Sequence, residues 1–229
     1  IKPDILIATW WKTAYVAADI NDAHPCRGMY LIQDIESNYY FDPLTRQAVE
    51  DTYKLGLEHF TTSKWVMSQL PDCQYMGIAI GRWKERLGNN ERRQRHAMAL
   101  IRPQALKGFR ELAEVCRRMQ RQNLSLVTFG TYPREISLGA LHKHIQAPDE
   151  RSLMRIFSTA GVFISTSLHE GWSMTPMQAM AVGTPVVMFN ADGNMEYVRD
   201  GENCLIATDP ADMAGKVERV LSDRELARK

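Results

Sequence analysis

Residues 165–187 read STSLHEGWSMTPMQAMAVGTPVV, and the order of residue types there decides the fold. The apolar run Val162–Ser165 predicts a strand that ends in small hydroxyl residues. Glu170-Gly171 then turns the chain, and Trp172, Ser173 and Met174 present backbone N–H groups at the start of a helix running from about Met174 to Val182. Gly183 ends that helix and Pro185 opens the next strand, Pro185–Phe189. A helix start carries unpaired N–H donors and partial positive charge, so it suits a phosphate. Gly171 would let a ligand approach the backbone closely. Gln178 sits one turn into the helix, where its side chain can face the same cleft. Spacing alone also fits any strand–helix–strand unit with a glycine-ended helix.

Working outward, short apolar runs alternate with helix-period segments, which implies an α/β fold with a mainly parallel sheet. Downstream, a short helix around Asn194–Val198 leads to a strand at Asn203–Ile206 and a helix at Pro210–Leu221. Upstream, the pattern predicts strands at Ala97–Ile101, Leu124–Phe129 and His144–Gln146. A helix over Lys107–Arg121 carries Phe109, Leu112, Cys116 and Met119 on one face, and Asp149 caps another through Ser158. This is a doubly wound pattern, and such sheets bind ligands at the carboxyl ends of their strands. The first third predicts strands at Ile5–Thr9, Met29–Ile32, Phe60–Ser63 and Tyr75–Ile80, with a helix at Leu44–Glu58. Between the two parts, GRWKERLGNNERRQRH (residues 81–96) carries six Arg or Lys against two Glu. A solvated linker between domains is its first reading; contact with an anionic membrane or a lipid diphosphate is the second.

EGWSMTPMQAMAVGTPVV (170–187) resembles the EGFGxxxxEAMAxGxPVV signature of retaining GT-B glycosyltransferases. GNMEYVRDGENCLIA (193–207) is similar to the stretch that follows it there, and IRPQALKGFREL (101–112) resembles the family's Arg…Lys-Gly element. The match runs over roughly residues 97–222 in the family's order. It implies a GT-B architecture: a C-terminal Rossmann-like domain at 97–229, complete or nearly so, after a linker at 81–96 and part of an N-terminal, acceptor-side Rossmann-like domain at 1–80.

The resemblance also implies roles. Arg102 and Lys107 match the basic pair that holds the donor diphosphate and offsets charge on it as it leaves, work two fixed cations can do without a metal. Glu170 matches the carboxylate that contacts hydroxyls of the donor sugar. Gly171, Trp172, Ser173 and Met174 match the loop whose amides meet the phosphates, and Gly130 the small residue that lets the nucleotide pack closely. Each has a plainer alternative: a surface ion pair for Arg102, a solvated helix start for Lys107, a turn residue for Glu170. Gln178 departs from the pattern, which has a second Glu accepting from both ribose hydroxyls. A neutral amide there weakens the bond by about 1–2 kcal/mol. It implies a weaker donor site, an inactive relative, or a deoxyribose nucleotide.

MYLIQDIESNYYFDP (29–43) and TYKLGLEHFTTSKWV (52–66) resemble a subgroup linked to rhamnose-containing and other surface polysaccharides. Asp34 and Glu36 stand where an acceptor hydroxyl could be oriented, or form a helix-capping acidic loop. His169 reads as a packed, hydrogen-bonded histidine before an acid or base, and Tyr39, Tyr40 and Phe41 as core or interface before a sugar platform.

The resulting expectation is a metal-independent, retaining transfer of sugar from a nucleoside-diphosphate sugar to a glycan or lipid-linked acceptor, with no cofactor. A non-catalytic nucleotide-sugar-binding module and a sugar-nucleotide epimerase of the same fold are the alternatives. With 28 Lys and Arg against 27 Asp and Glu, no basic field points to nucleic acid. No apolar run approaches the roughly 20 residues that cross a bilayer, and the four cysteines lie far apart without a CxxC pair, so they read as reduced thiols of a cytoplasmic protein, peripheral at the membrane at most. The chain opens at Ile1 directly on a strand pattern and stops at Lys229 just after a helix, which implies a piece of a longer polypeptide. The first strands of the N-terminal domain and a C-terminal crossover helix are expected outside it.

Overall fold

A computed structural model describes residues 3–24, 26–81, 94–132 and 136–228. The chain divides into two compact units, residues 1–79 with 170–172, and residues 80–169 with 173–229.

The first unit holds a parallel four-stranded sheet in the order β1-β2-β3-β4: β1 (Ile5–Ala8), β2 (Arg27–Ile32), β3 (Glu58–Thr61) and β4 (Gln74–Tyr75). Its helices are α1 (Trp11–Ala23), α2 (Pro43–Asp51) and α3 (Lys64–Gln69). Two of them start on side-chain caps. Asp42 accepts from the Thr45 amide at 2.7 Å with Pro43 at the first helical position, and Ser63 accepts from Val66 at 3.2 Å. The core is small: Ala14, Ala17 and Ala18 of α1 lie against Tyr30 and Ile32 of β2.

Several expectations need correction here. Sequence patterning gave no helix at α1 or α3. The helix expected over Leu44–Glu58 ends at Asp51, where Thr52 turns its hydroxyl back to the Val49 carbonyl at 2.6 Å and a 3-10 turn over Thr52–Lys54 follows. The strand expected at Phe60–Ser63 is β3, ending at Thr61, because Ser63 serves as the cap of α3. The strand expected at Tyr75–Ile80 is the two-residue β4. Most of the basic stretch, residues 82–93, lies outside the described residues.

The second unit is built on six parallel strands: β5 (His96–Leu100), β6 (Ser125–Gly130), β7 (His142–Gln146), β8 (Val162–Ser165), β9 (Val186–Phe189) and β10 (Leu205–Ala207). Their spatial order is β10-β9-β8-β5-β6-β7. Counted from β5, that is 3-2-1-4-5-6 read from the other edge, the doubly wound dinucleotide-fold order with its switch point between β5 and β8. Ala97 is in register with Leu126 on one side and Val162 on the other.

Helices α4 (Phe109–Arg121), α5 (Glu150–Thr159), α6 (Met174–Ala181) and α7 (Pro210–Ser222) cover both faces. Ala97, Ala99, Leu126, Ile164 and Val187 pack with Leu112 and Met119 of α4 and Val217 of α7. Met98, Phe163 and Met188 pack on the other face with Phe157 of α5 and Ala179 of α6. Burial on both faces is why β8 and β9 read as unbroken apolar runs. Asp149 caps α5 through the Ser152 amide at 2.7 Å, and Asp209 caps α7 through the Ala211 and Asp212 amides at 2.7 and 2.9 Å.

Candidate functional site

The carboxyl ends of β5 and β8 flank the switch point, and Lys107 and Ser173 lie on the segments that follow these two strands. The segment after β5 does not enter a helix directly. Ala105–Lys107 form a 3-10 turn, Gly108 takes the left-handed conformation at φ 68°, and α4 begins at Phe109. This corrects the expected helix over Lys107–Arg121: Lys107 closes the 3-10 turn and the helix begins at Phe109.

Gly108 has a strict reason to be glycine. A Cβ built there would stand 1.7 Å from the Thr166 carbonyl oxygen. The Thr166 hydroxyl in turn donates to the Gly108 carbonyl at 2.9 Å. Next to this lock, the Leu106 carbonyl accepts from the amides of Leu168 and His169 at 2.9 and 3.2 Å. Lys107 Nζ then reaches the His169 carbonyl at 3.2 Å. The loop after β5 therefore carries its ammonium to the loop after β8, immediately before Glu170.

That second loop is braced from the other side by the 3-10 turn Asp192–Glu196, which follows β9. His169 Nδ1 lies 2.6 Å from Asp192 Oδ2, the Ser173 amide donates to Asn194 Oδ1 at 2.7 Å, and Tyr197 donates to the Ser173 carbonyl at 3.2 Å. His169 is buried, a packed and hydrogen-bonded histidine, and Asp192 holds a left-handed φ of 42° to meet it. Asn194 is fully buried, with its Nδ2 unpaired. Because Asn194 takes the Ser173 N–H, the donors left for an anion at this helix start come from α6 itself. Sequence reasoning missed Asp192, Asn194 and Tyr197 as bracing residues, since bonds between residues some twenty apart leave no local pattern.

Arg102 and Gly130 meet on a neighbouring cleft of about 350 Å³, lined also by Gln104, Thr131, Tyr132 and Ala147. Gly130 closes β6, where an added Cβ would stand 2.8 Å from the Ile101 carbonyl oxygen. Its own carbonyl accepts from Ala147 at 2.7 Å. Met174 opens α6, and Gln178 lies one turn on, half-buried. Glu170, Gly171 and Trp172 group with the first unit; Glu170 and Gly171 are buried.

In the first unit the acidic loop after β2 has structural work. Glu36 Oε2 accepts from the Trp11 amide at 2.8 Å and from Tyr30 at 3.1 Å, so it caps α1. Burial pushes its carboxyl above the ordinary value, against the bond from Trp11. Asp34 accepts from Ile35 at 2.8 Å and from Tyr39 at 2.5 Å. Tyr40 accepts from the Trp11 indole at 2.9 Å, whereas Phe41 is 86% exposed.

The four cysteines are free thiols. Among the described residues no cluster of three or more His, Cys, Asp or Glu could hold a metal ion, and no helix is long and apolar enough to cross a membrane.

Residues 97–223 match the family of glycosyl transferases group 1. An uncharacterised glycosyltransferase of Methanocaldococcus jannaschii is 30% identical over 116 residues, 46% of this chain and 30% of that protein. A lipopolysaccharide core biosynthesis glycosyltransferase, LpsE of Rhizobium meliloti, is 34% identical over 67 residues, 28% of this chain and 20% of that protein. The matched segment thus spans less than a third of these relatives. In fold, the chain is similar to HepE of Anabaena in complex with UDP-glucose, with a TM-score of 0.77 at 17% identity over 98% of this chain and 71% of that one.

Proposed function

Because the chain belongs to the glycosyl transferases of group 1 and has the GT-B type of fold, we propose that it carries the donor site of an enzyme that moves a sugar from a nucleoside-diphosphate sugar to a glycan or lipid-linked acceptor. The observation that supports this most is the delivery of Lys107 to the loop before Glu170, with its Nζ 3.2 Å from the His169 carbonyl, at the switch point of the sheet. A fixed cation beside a helix start suits a diphosphate twice over, by its charge and by the donors of α6.

In this reading Arg102 and Lys107 hold the diphosphate and offset the charge that grows on it as the glycosidic bond breaks. The amides at the start of α6, from Met174 on, face the phosphates, and Glu170 takes hydroxyls of the sugar. The cleft beside Gly130 receives the nucleoside. Gln178 faces the ribose with one acceptor oxygen and no charge, which weakens donor binding without abolishing it. Stabilisation of the leaving group by two cations accounts for transfer without a metal, and retention of configuration follows from the resemblance of residues 170–187. The first unit is then part of the acceptor-side domain, and the resemblance of residues 29–66 points to surface polysaccharide as the product. The name of the Rhizobium relative is in keeping with that.

Calorimetric titration of the chain with UDP, GDP and dTDP tests the reading, beside a variant carrying Arg102→Ala and Lys107→Ala. Saturable binding of one nucleotide, weakened at least tenfold in the variant, is expected, each charge-assisted bond being worth about 1.5–3 kcal/mol. Binding unchanged in a folded variant, or no binding by any of the three, sinks it.

A further inference from the structure

Beneath the rim of the nucleoside cleft runs a chain of hydrogen bonds whose every proton can be placed. The Leu138 amide donates to His142 Nδ1 at 3.1 Å. His142 Nε2 lies 2.8 Å from the Thr128 hydroxyl, and that hydroxyl lies 2.9 Å from His144 Nδ1. His144 Nε2 lies 3.2 Å from the Tyr132 carbonyl. Both ends fix the direction. An amide N–H can only donate, so His142 Nδ1 is bare and its proton sits on Nε2, directed at Thr128. A carbonyl can only accept, so His144 carries its proton on Nε2 and its Nδ1 is bare. The Thr128 hydroxyl, fully buried, accepts from His142 and donates to His144. His142 and His144 alternate along β7 and therefore share a face of the sheet.

The chain of bonds ends where ligand chemistry is expected to begin. Tyr132 and Thr131 line the cleft that Arg102 and Gly130 share. At the end of β6 the rim is tied at two points, Gly130 to the Ala147 amide just after β7 and Tyr132 to His144 within it. We propose that His142, Thr128 and His144 are positioning residues for this rim, competent only while both imidazoles are neutral and in their Nε2–H forms. That they set nucleotide affinity rests on the reading of the cleft given above.

A proton on His142 would place an N–H against the Leu138 N–H. A proton on His144 would place one against Thr128 and leave the buried hydroxyl proton without an acceptor; the ring must shift away from Thr128 to relieve that cost, and the Tyr132 carbonyl held by its Nε2–H shifts with it. Burial and the neighbouring His144 both hold His142 below the ordinary histidine value, which favours the neutral ring that its own two bonds require. Other titratable groups nearby are Lys143, exposed between the two rings on β7, and Cys116 of α4, whose thiol contacts the Leu138 carbonyl at 3.5 Å.

Nitrogen-15 spectra of the imidazoles in the unaltered chain, taken from pH 8 to pH 5.5, test the positioning without any ligand. Both rings are expected as Nε2–H tautomers at pH 8, with the Thr131 and Tyr132 amide signals moving as the rings take up protons. A Nδ1–H tautomer at either ring, or rim amides indifferent to the titration, overturns the proposal. UDP affinity, measured over the same range in the chain and in Thr128→Val, supplies the second arm. The variant cancels the titration of the UDP phosphate itself. Affinity is expected to fall about fivefold further on acidification in the unaltered chain than in the variant, the loss of about one net hydrogen bond. Equal falls overturn the link to the ligand. Rim amides that follow the rings in a chain that binds no UDP at any pH would uphold the positioning and count against the donor reading alone.

Discussion

The two ends of the six-stranded sheet are built for different purposes. At the carboxyl end, polar groups are buried on purpose: Thr166, Ser167, His169, Ser173 and Asn194 are all less than a tenth exposed. At the amino ends of β9 and β10 lies a larger hollow of about 440 Å³, lined by Pro185, Val186, Cys204, Leu205 and Leu226. It exceeds the cleft of about 350 Å³ that Arg102 and Gly130 share. Among the described residues, however, its lining offers no cation and no helix start, and burial pushes the Cys204 thiol up to about 12, with Asp200 adding to the effect. A thiol that stays protonated at neutral pH is a small apolar side chain in practice. In the reading proposed above, buried polarity organised by backbone locks marks the site, and empty volume does not.

The largest effect is expected at the Gly108 lock. Gly108→Ala sets a methyl against the Thr166 carbonyl on a left-handed backbone, so the loops must separate or unfold. A loss of at least about 3 kcal/mol in chemical denaturation is expected, within the range for strained positions and overpacking. A variant as stable as the parent would show that the loops after β5 and β8 are not locked.

Asn194→Ala comes next. It leaves the buried Ser173 amide without an acceptor, at a cost of about 1–2 kcal/mol, partly offset because the unpaired Nδ2 goes with it. Its sharper signature is weaker UDP binding, read by calorimetry, through a loosened start of α6. Glu202→Ala, on an exposed residue beside the amino-end hollow, is expected to change stability by less than about 0.5 kcal/mol and to leave UDP binding alone. Equal effects from the two substitutions would erase the contrast between the ends.

A smaller effect is expected from pH. Burial holds His59, His96 and His142 below the ordinary value of 6.5. The unfolded chain therefore takes up protons that the fold refuses. Their contribution is complete above the unfolded value and declines as pH falls through 6.5 toward the folded values. Denaturation midpoints are expected to drop between pH 8 and pH 6, a window above the range of the carboxylates. A midpoint that rises over that window would reverse the sign.

How much was legible in the sequence follows from the same physics. In the second unit the buried strands β8 and β9 announce themselves as apolar runs, and Asp149 announces α5 as its cap. The signature at residues 170–187 placed α6 at Met174, where it begins. In the first unit α1 was illegible because WWKTAYVAAD is apolar nearly all round and shows no stripe; only packing on a small sheet makes it a helix. Lys107 was read as the start of a helix that begins at Phe109, since nothing local reveals that Gly108 must be left-handed to clear Thr166. The brace from Asp192, Asn194 and Tyr197 depends on the order of β8 and β9 in the sheet. The pair His142 and His144 did leave a signal, two imidazoles at strand period, and only the position of Thr128 on β6 gives it meaning.

Nitrogen-15 amide spectra recorded while UDP is added to the unaltered chain test the central claim most directly. The account predicts shifts gathered at Arg102, Lys107, Gly130–Tyr132 and Ser173–Met174, with Val186 and Asn203–Leu205 unmoved. Shifts concentrated around the amino-end hollow, or scattered without a centre, would contradict it.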